Sequence, residues 1–339
     1  MTALGVGIIG AGPVTQAIHI PTLARLPDEF RVTHVMDIDA AIASAVAARV
    51  GATWSTSLEE LLADPTVDVV AICSPPAFHA EQVQAAIAAG VRGILCEKPF
   101  AVTPAEAKAL AAVARESSTP LVVGAMHAYD PAWVAALEAW GDLAATAHTV
   151  RSSIVLPQNR RYEGWATEIL ARPPGGDGPE PRDPVARATR FHDGILGLAI
   201  HDVPLIRRFA PAIDQVVDAE VLEPFGYAAS AEAGGRRVEL FAHMHHHWRP
   251  AWTFEAWSPD ARLRLDFTPS YVHAGSAIAT LATPNRVVQL GPFDTNGYVE
   301  EWRHLARLVN GQEQPADELE SMIEDLEYAL RIAAGPVRV

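Results

Sequence analysis

The stretch Leu4-Gly5-Val6-Gly7-Ile8-Ile9-Gly10-Ala11-Gly12-Pro13-Val14-Thr15 decides the fold. Its first half is an apolar run without polar alternation, the pattern of a strand buried on both faces. The run passes directly into Gly10-Ala11-Gly12. There the first glycine makes a tight turn and the second lets the backbone come close to a ligand. The third position of this turn, ordinarily Gly or Ala, is Thr15. The turn therefore draws its meaning from context: a strand before it, a helix-like segment after it, and a second apolar run, Val32–Met36, that ends at Asp37.

The same rhythm continues outward. Val67–Ile72, Gly93–Cys96 and Leu121–Val123 read as further buried strands, separated by alanine-rich helical stretches. Two of these helices open on capping boxes, Ser57-Leu58-Glu59-Glu60 and Thr103-Pro104-Ala105-Glu106, the second with proline at the first helical position. Strand–helix alternation at this spacing predicts an α/β fold with a doubly wound parallel sheet. After about residue 125 the pattern changes to longer, alternating strands: Thr146–Val155, Asp214–Val221, Val238–Trp248, Thr253–Trp257 and Arg262–Phe267. These predict a mostly antiparallel sheet with one covered face. Tyr298 to Val309 and Leu319 to Leu330 carry apolar residues at helical spacing and read as amphipathic helices. Two domains are expected, 1–124 and 125–339.

Composition narrows the classes. The chain has 339 residues, 49% hydrophobic and 20% charged, which excludes a disordered chain. A formal net charge of −15 repels nucleic acid and anionic membrane, so neither is an expected partner. The first apolar stretch has no basic region before it and reads as a strand, not a leader. No apolar run is long enough to span a bilayer. Cys73 and Cys96 close apolar runs without a CxxC neighbour, which suggests two buried thiols in a reducing, cytoplasmic setting.

A pyrophosphate is expected on the turn Gly10, Gly12, Pro13 and Val14. The Asp37 carboxylate can accept hydrogen bonds from an adenosine ribose and would repel a 2′-phosphate, and Ile38 offers no compensating cation. That favours NAD over NADP. The rim Ser74-Pro75-Pro76-Ala77-Phe78-His79 falls at the carboxyl edge of the sheet. There His79 is either a cofactor contact or a packing residue. Glu97-Lys98-Pro99 ends the run Ile94-Leu95-Cys96 and places a cation beside the nicotinamide, which is oxidoreductase chemistry.

These pieces resemble the glucose-fructose oxidoreductase / inositol dehydrogenase (Gfo/Idh/MocA) family. The resemblance rests on Gly7-Ile8-Ile9-Gly10-Ala11-Gly12 with His19-Ile20-Pro21, Ser74-Pro75-Pro76 with His79, Cys96-Glu97-Lys98-Pro99, Tyr129-Asp130-Pro131, and Ala199-Ile200-His201-Asp202. It covers the N-terminal half and, beyond residue 205, becomes one of layout. It implies an N-terminal Rossmann domain and a C-terminal substrate-binding domain with a large open sheet, through which homodimers or homotetramers form. It also implies NAD(P)-dependent oxidation or reduction at a carbon of a sugar, sugar derivative or cyclitol. Lys98 corresponds to the family lysine that stabilises the substrate oxygen, and His201 to the histidine that carries a proton. Lys98, His127 and His201 are thus the expected substrate contacts, with the first and last facing the reacting carbon from opposite domains.

Two departures stand out. Family dehydrogenases carry an Asp four residues before this histidine. Here that position is Gly197, and Asp193 lies two turns from His201, roughly 12 Å along a helix axis. Relatives also carry basic residues where this chain has His127 and Ala128, so His127 is either a substrate contact or a packing residue. The departures keep two other classes open: a redox-neutral enzyme with trapped NAD that performs elimination or glycoside cleavage, and a non-enzymatic dinucleotide sensor. His243, His245 and His247 alternate on one strand but span about 13 Å, too far for one tetrahedral ion, so no metal is expected. Trp248, Trp252 and Trp257 suit core packing or a sugar platform. The Pro- and Gly-rich stretch Arg172–Pro184 reads as an exposed loop, and the wider region 157–184, which includes Arg160 and Arg161, as a loop that is either a lid over the pocket or an intersubunit arm.

Overall fold

The computed structural model describes residues 2–166, 169–170, 184–314 and 318–338. The stretch Arg172–Pro184 lies outside them except for Pro184, where a helix begins. Six strands, β1 (Leu4–Ile9), β2 (Phe30–Met36), β3 (Thr53–Ser55), β4 (Val69–Ile72), β5 (Gly93–Glu97) and β6 (Leu121–Gly124), form a parallel sheet in the order β3-β2-β1-β4-β5-β6. Every residue of β1 and β4 is buried, as their unbroken apolar runs require. Strand order reverses between β1 and β4, and their carboxyl ends flank the crevice where open α/β sheets bind ligands. The short edge strand β3, with two of its three residues exposed, has no apolar pattern that would announce it.

Local chemistry sets the helix starts. Thr103 and Glu106 form the reciprocal capping box that starts helix Pro104–Ser117. Ser57 caps its helix through Glu60 N at 3.2 Å, but its hydroxyl turns to Glu59 and the reciprocal half does not form.

The second sheet has eight strands: β7 (Thr149–Leu156), β8 (Gln215–Val221), β9 (Gly226–Ala233), β10 (Arg236–Met244), β11 (Ala251–Trp257), β12 (Arg262–Phe267), β13 (Ile278–Thr283) and β14 (Arg286–Leu290). Their order is β14-β13-β12-β11-β7-β10-β9-β8, antiparallel except for β7 beside β10. Val150, Ser152, Ile154 and Leu156 alternate inward along β7, with Ser152 the polar member of that face. β10 stops at Met244, so His245 to Trp248 lie past the strand and not on it as expected. There His243 and His247 approach ring to ring, Nδ1 to Nε2 at 3.0 Å. Among the described residues no group of three or more His, Cys, Asp or Glu could hold a metal ion. None of the described helices is long and apolar enough to cross a membrane.

The chain divides into two compact units. One comprises Met1–Gly124, Tyr162–Gly176 and Tyr298–Ile323; the other Ala125–Arg161, Asp177–Gly297 and Glu324–Val339. The break after residue 124 coincides with the change of periodicity. Helix Gly297–Val309, expected within the second domain, instead gives nearly all its length to the first unit. Its apolar stripe explains this return: Leu305 and Val309 sit over Gly93 of β5, and Trp302 is fully buried edge-on to Phe30 of β2, with ring centroids 5.0 Å apart.

The same helix buries Glu301 completely, and neither carboxyl oxygen meets a hydrogen-bonding partner among the described residues. Burial, and then the nearby Glu97 charge, push its carboxyl well above the ordinary 4.5, against the opposing pull of His19. Over that interval the folded protein keeps a proton that the unfolded chain releases, so Glu301 lowers stability as pH rises. Glu301→Gln is expected to melt with wild type near pH 4.5 and to gain on it progressively as the pH rises above that, by at most about 1.4 kcal/mol per pH unit. A pH series of thermal melts checks this, and an offset that does not grow with pH contradicts it.

Candidate functional site

In the first unit the expected cofactor residues lie along the carboxyl edge of the parallel sheet. Gly10 follows β1 with φ +91°, and a Cβ there would lie 2.8 Å from Ser74 N and 2.9 Å from the Cys73 carbonyl. Only glycine satisfies both conditions. Gly12 differs, because a Cβ there would meet nothing within 4 Å. Protein packing does not require that glycine, whereas a ligand pressed against the turn would, so the cradle fits a pyrophosphate. Pro13 and Val14 are half-buried beside it. Thr15 uses its hydroxyl in place of the absent small residue: buried, it donates to the Gly10 carbonyl at 2.5 Å and locks the turn. The segment Thr15–His19 widens into a π-helical turn, a geometry that gives the larger side chain room.

Asp37 lies just past the end of β2. One carboxylate oxygen accepts from Ala11 N at 2.7 Å and the other from Asp39 N at 2.9 Å, so it is already aimed at the glycine turn. Ile38 beside it is 88% exposed. On the rim after β4, Ser74 donates to Gln82 at 2.5 Å and Pro75 is exposed. His79 is 1% exposed, and both ring nitrogens are spent on backbone carbonyls, Nδ1 on Pro99 at 2.8 Å and Nε2 on Ser74 at 2.7 Å. Its ring has no capacity left for a cofactor. It is the bracket that ties the Ser74 rim to the segment following Lys98.

Lys98 is half-buried at the end of β5, where burial lowers its ammonium pKa against the pull of Glu97. Glu97 is held from behind. Trp302 Nε1 lies 3.2 Å from His19 Nδ1, and His19 Nε2–H donates to Glu97 Oε1 at 2.9 Å. The other Glu97 oxygen accepts from the Lys98 backbone N–H at 3.3 Å. Burial pushes Glu97 up, but the His19 hydrogen bond and charge, together with Lys98, outweigh it and leave the carboxyl below its ordinary value. Burial also works against a charged His19. Cys73 and Glu97 nevertheless hold its pKa well above 6.5. Cys73 is only half-buried, while Cys96 is buried as expected.

The second unit collects a different set. His201 is 8% exposed in a 3-10 turn, Ala199–His201, with its ring 5.6 Å from Trp252 and 6.0 Å from His127. The preceding helix, Pro184–Gly197, ends at Gly197, so positions 197 and 201 do not stack on one continuous helix as expected. A Cβ at Gly197 would meet open space, and Asp193 is exposed. Asp202, next to His201 in sequence, takes its partners from distant segments. Fully buried, it accepts from His127 Nδ1 at 2.6 Å, Ser152 Oγ at 2.5 Å and Trp252 Nε1 at 2.9 Å. His127 stacks on Phe267 with centroids 3.7 Å apart and meets Trp252 edge-on at 4.7 Å. Asp130 caps helix Pro131–Ala139 through Ala132 N and also accepts from Ala277 N at 3.0 Å, which fixes the segment that carries His127.

Of the tryptophans, Trp252 therefore belongs to this polar hub. Trp257 lies against Arg151 and Arg262, and Trp248 is 83% exposed. Sequence reasoning did not find Ser152, Trp252 and Asp202 as a group, nor His19, Trp302 and Glu301. A serine at an inward position of an otherwise apolar strand face was the available signal for the first group.

Residues 4–125 match the profile of an oxidoreductase family with an NAD-binding Rossmann fold, GFO_IDH_MocA. A 1,5-anhydro-D-fructose reductase of Ensifer adhaerens is 32% identical over 209 residues, 59% of this chain and 55% of that protein. Inositol 2-dehydrogenase 3 of Saccharopolyspora erythraea is 37% identical over 126 residues, 37% of each chain. The chain spans about a third to about half the length of the curated relatives it matches. Among solved structures, a 3-ketoreductase from Actinomadura kijaniata in complex with NADP and TDP-benzene superposes with a TM-score of 0.76 at 19% identity, covering 99% of this chain and 98% of that one. At that identity the likeness is one of fold. With the glycine turn, the Glu97-Lys98-Pro99 edge and these matches agreeing, residues 4–125 are similar to the NAD-binding Rossmann domain of the glucose-fructose oxidoreductase / inositol dehydrogenase family.

Proposed function

We propose that this protein is an NAD-dependent dehydrogenase or ketoreductase acting at a hydroxyl-bearing carbon of a sugar, sugar derivative or cyclitol. The observation that carries this reading is the row formed by Gly12, Asp37 and Lys98 on the carboxyl edge of one sheet: an open cradle, a carboxylate and a half-buried cation. Gly10, Gly12, Pro13 and Val14 receive the pyrophosphate, Asp37 the adenosine ribose, and Ser74, Pro75 and the Glu97–Lys98 edge the nicotinamide half. When bound, the nicotinamide accepts or returns the hydride. The relatives named for anhydrofructose and inositol support the substrate class. Self-association through the second sheet belongs to the same reading, since Val217 and Phe241 lie exposed on its strands.

This chain's residues do the remaining work. The Lys98 ammonium donates to the reacting oxygen and stabilises the negative charge that builds as hydride departs. Its depressed pKa lets it do so without the full hydration of a surface lysine. Glu97, clamped by His19 and Trp302, fixes where that ammonium sits. The family resemblance gives the role of taking the hydroxyl proton to His201, with His127 as a further substrate contact.

Two outcomes follow. Lys98→Ala is expected to keep NAD affinity within a few-fold and lose at least about 100-fold in kcat with the best polyol of a sugar and cyclitol panel. Full activity in the variant contradicts the role. Asp37→Ser combined with Ile38→Arg is expected to move the NAD-to-NADP ratio of kcat/KM toward NADP by at least about tenfold. A wild-type preference for NADP contradicts the assignment of Asp37. Net nicotinamide absorbance marks a dehydrogenase, whereas substrate conversion without it marks the trapped-cofactor route.

A further inference from the structure

From the hydrogen bonds of one buried amide we infer that Gln16 is a positioning residue for the dinucleotide, and that the backbone of Leu170 holds it in place. The inference deepens the proposed cofactor reading and rests on it. Gln16 is fully buried one helical turn after the glycine cradle, where its backbone N–H donates to the Gly12 carbonyl at 3.1 Å. Its side-chain amide joins two segments far apart in sequence. Nε2 donates to the Ala11 carbonyl at 2.8 Å, and Oε1 accepts from the Leu170 N–H at 2.8 Å. Residues 11, 16 and 170 belong to the same compact unit.

Side chains hold both peptides of the turn. Thr15 donates to the Gly10 carbonyl and Asp37 accepts from Ala11 N, so the 10–11 peptide is fixed at both ends. Gln16 fixes the 11–12 peptide through its carbonyl. A trans peptide is planar, so its N–H points opposite its C=O. The Gln16 bond therefore sets the direction of the Gly12 N–H, on the glycine where a Cβ would meet open space. Backbone N–H groups of such a turn are what a pyrophosphate meets. Thr15 and Gln16 each reach back five residues, and both stand in the π-helical turn Thr15–His19.

Leu170 completes the arrangement. A primary amide has one accepting oxygen and one donating NH2 group, and a 180° rotation exchanges them. The Ala11 carbonyl requires the NH2 and the Leu170 N–H requires the oxygen, so both partners select one orientation. Without the Leu170 donor, the Gln16 oxygen loses this partner inside the protein and the amide is restrained less. By linkage, a dinucleotide that favours the ordered turn favours Leu170 on Gln16 by the same factor. The Leu170 side chain is 43% exposed, so its N–H can be removed with little loss of packing.

The test measures the dissociation constant and off-rate of NAD, or of NADP should wild type prefer it. Wild type is compared with Leu170→Pro, Leu170→Ala, Gln16→Leu and the double variant Gln16→Leu/Leu170→Pro, each with a thermal melt. Leu170→Pro removes the N–H and is expected to weaken binding about fivefold, through a faster off-rate. Leu170→Ala keeps the N–H and is expected to bind as wild type. Gln16→Leu strips both bonds and is expected to weaken binding at least about tenfold. The double variant is expected to be no weaker than Gln16→Leu, because both changes break one chain of bonds. With the best polyol of the panel, the losses are expected in KM for the dinucleotide while kcat at saturation holds within a few-fold. General loosening would not give that split. If Gln16→Leu does not fold, Leu170→Pro against Leu170→Ala still decides. A folded Leu170→Pro that binds and releases the dinucleotide as wild type does overturns the inference, as does an equal loss in Leu170→Ala. Wild type that binds neither NAD nor NADP overturns the cofactor reading itself, a result distinct from the other two.

Discussion

A carboxylate removed from water must find donors in the protein, and this constraint shapes the functional side chains of both units. Glu97 is satisfied by His19 and by the Lys98 backbone, Asp202 by His127, Ser152 and Trp252. In each case the acid fixes a neighbouring polar group, the Lys98 backbone and His19 for Glu97 and the His127 ring for Asp202. Unpaired, such charges would each cost several kcal/mol. Paired, they turn flexible polar side chains into fixed ones. Glu301 shows the other solution: without donors, it stays neutral by keeping its proton.

Much of the parallel sheet was legible because burial on both faces leaves apolar runs with no competing interpretation. β1, β2, β4, β5 and β6 follow from those runs to within a few residues. The second sheet was harder to read. β12 is met residue for residue, but β9 is rich in alanine and glycine, and β13 and β14 are short and partly exposed, so none of the three declares itself. The histidines after Met244 continue the alternation in sequence while the backbone has already left the sheet. Periodicity cannot detect where pairing stops.

The candidate site divides in the same way. Residues whose role is set by the backbone could be placed from sequence, such as Gly10, where a Cβ would collide with the next strand's loop. Residues whose role depends on distant partners could not. His79 looks like a rim residue until both nitrogens prove to be engaged by Ser74 and Pro99. Asp202 is only the neighbour of His201 in the sequence, and its partners arrive from positions 127, 152 and 252. Helix Gly297–Val309 was recognisable as amphipathic, but nothing in a stripe of apolar residues states which core receives it.

The central claim is that hydride passes directly between a substrate carbon and a bound nicotinamide. Its most direct test is mass spectrometry of the dinucleotide after turnover of a polyol deuterated at the reacting carbon. The account predicts NAD recovered in reduced form with one deuterium on the nicotinamide ring. Converted substrate with an unlabelled dinucleotide, and the deuterium released to water, would contradict it.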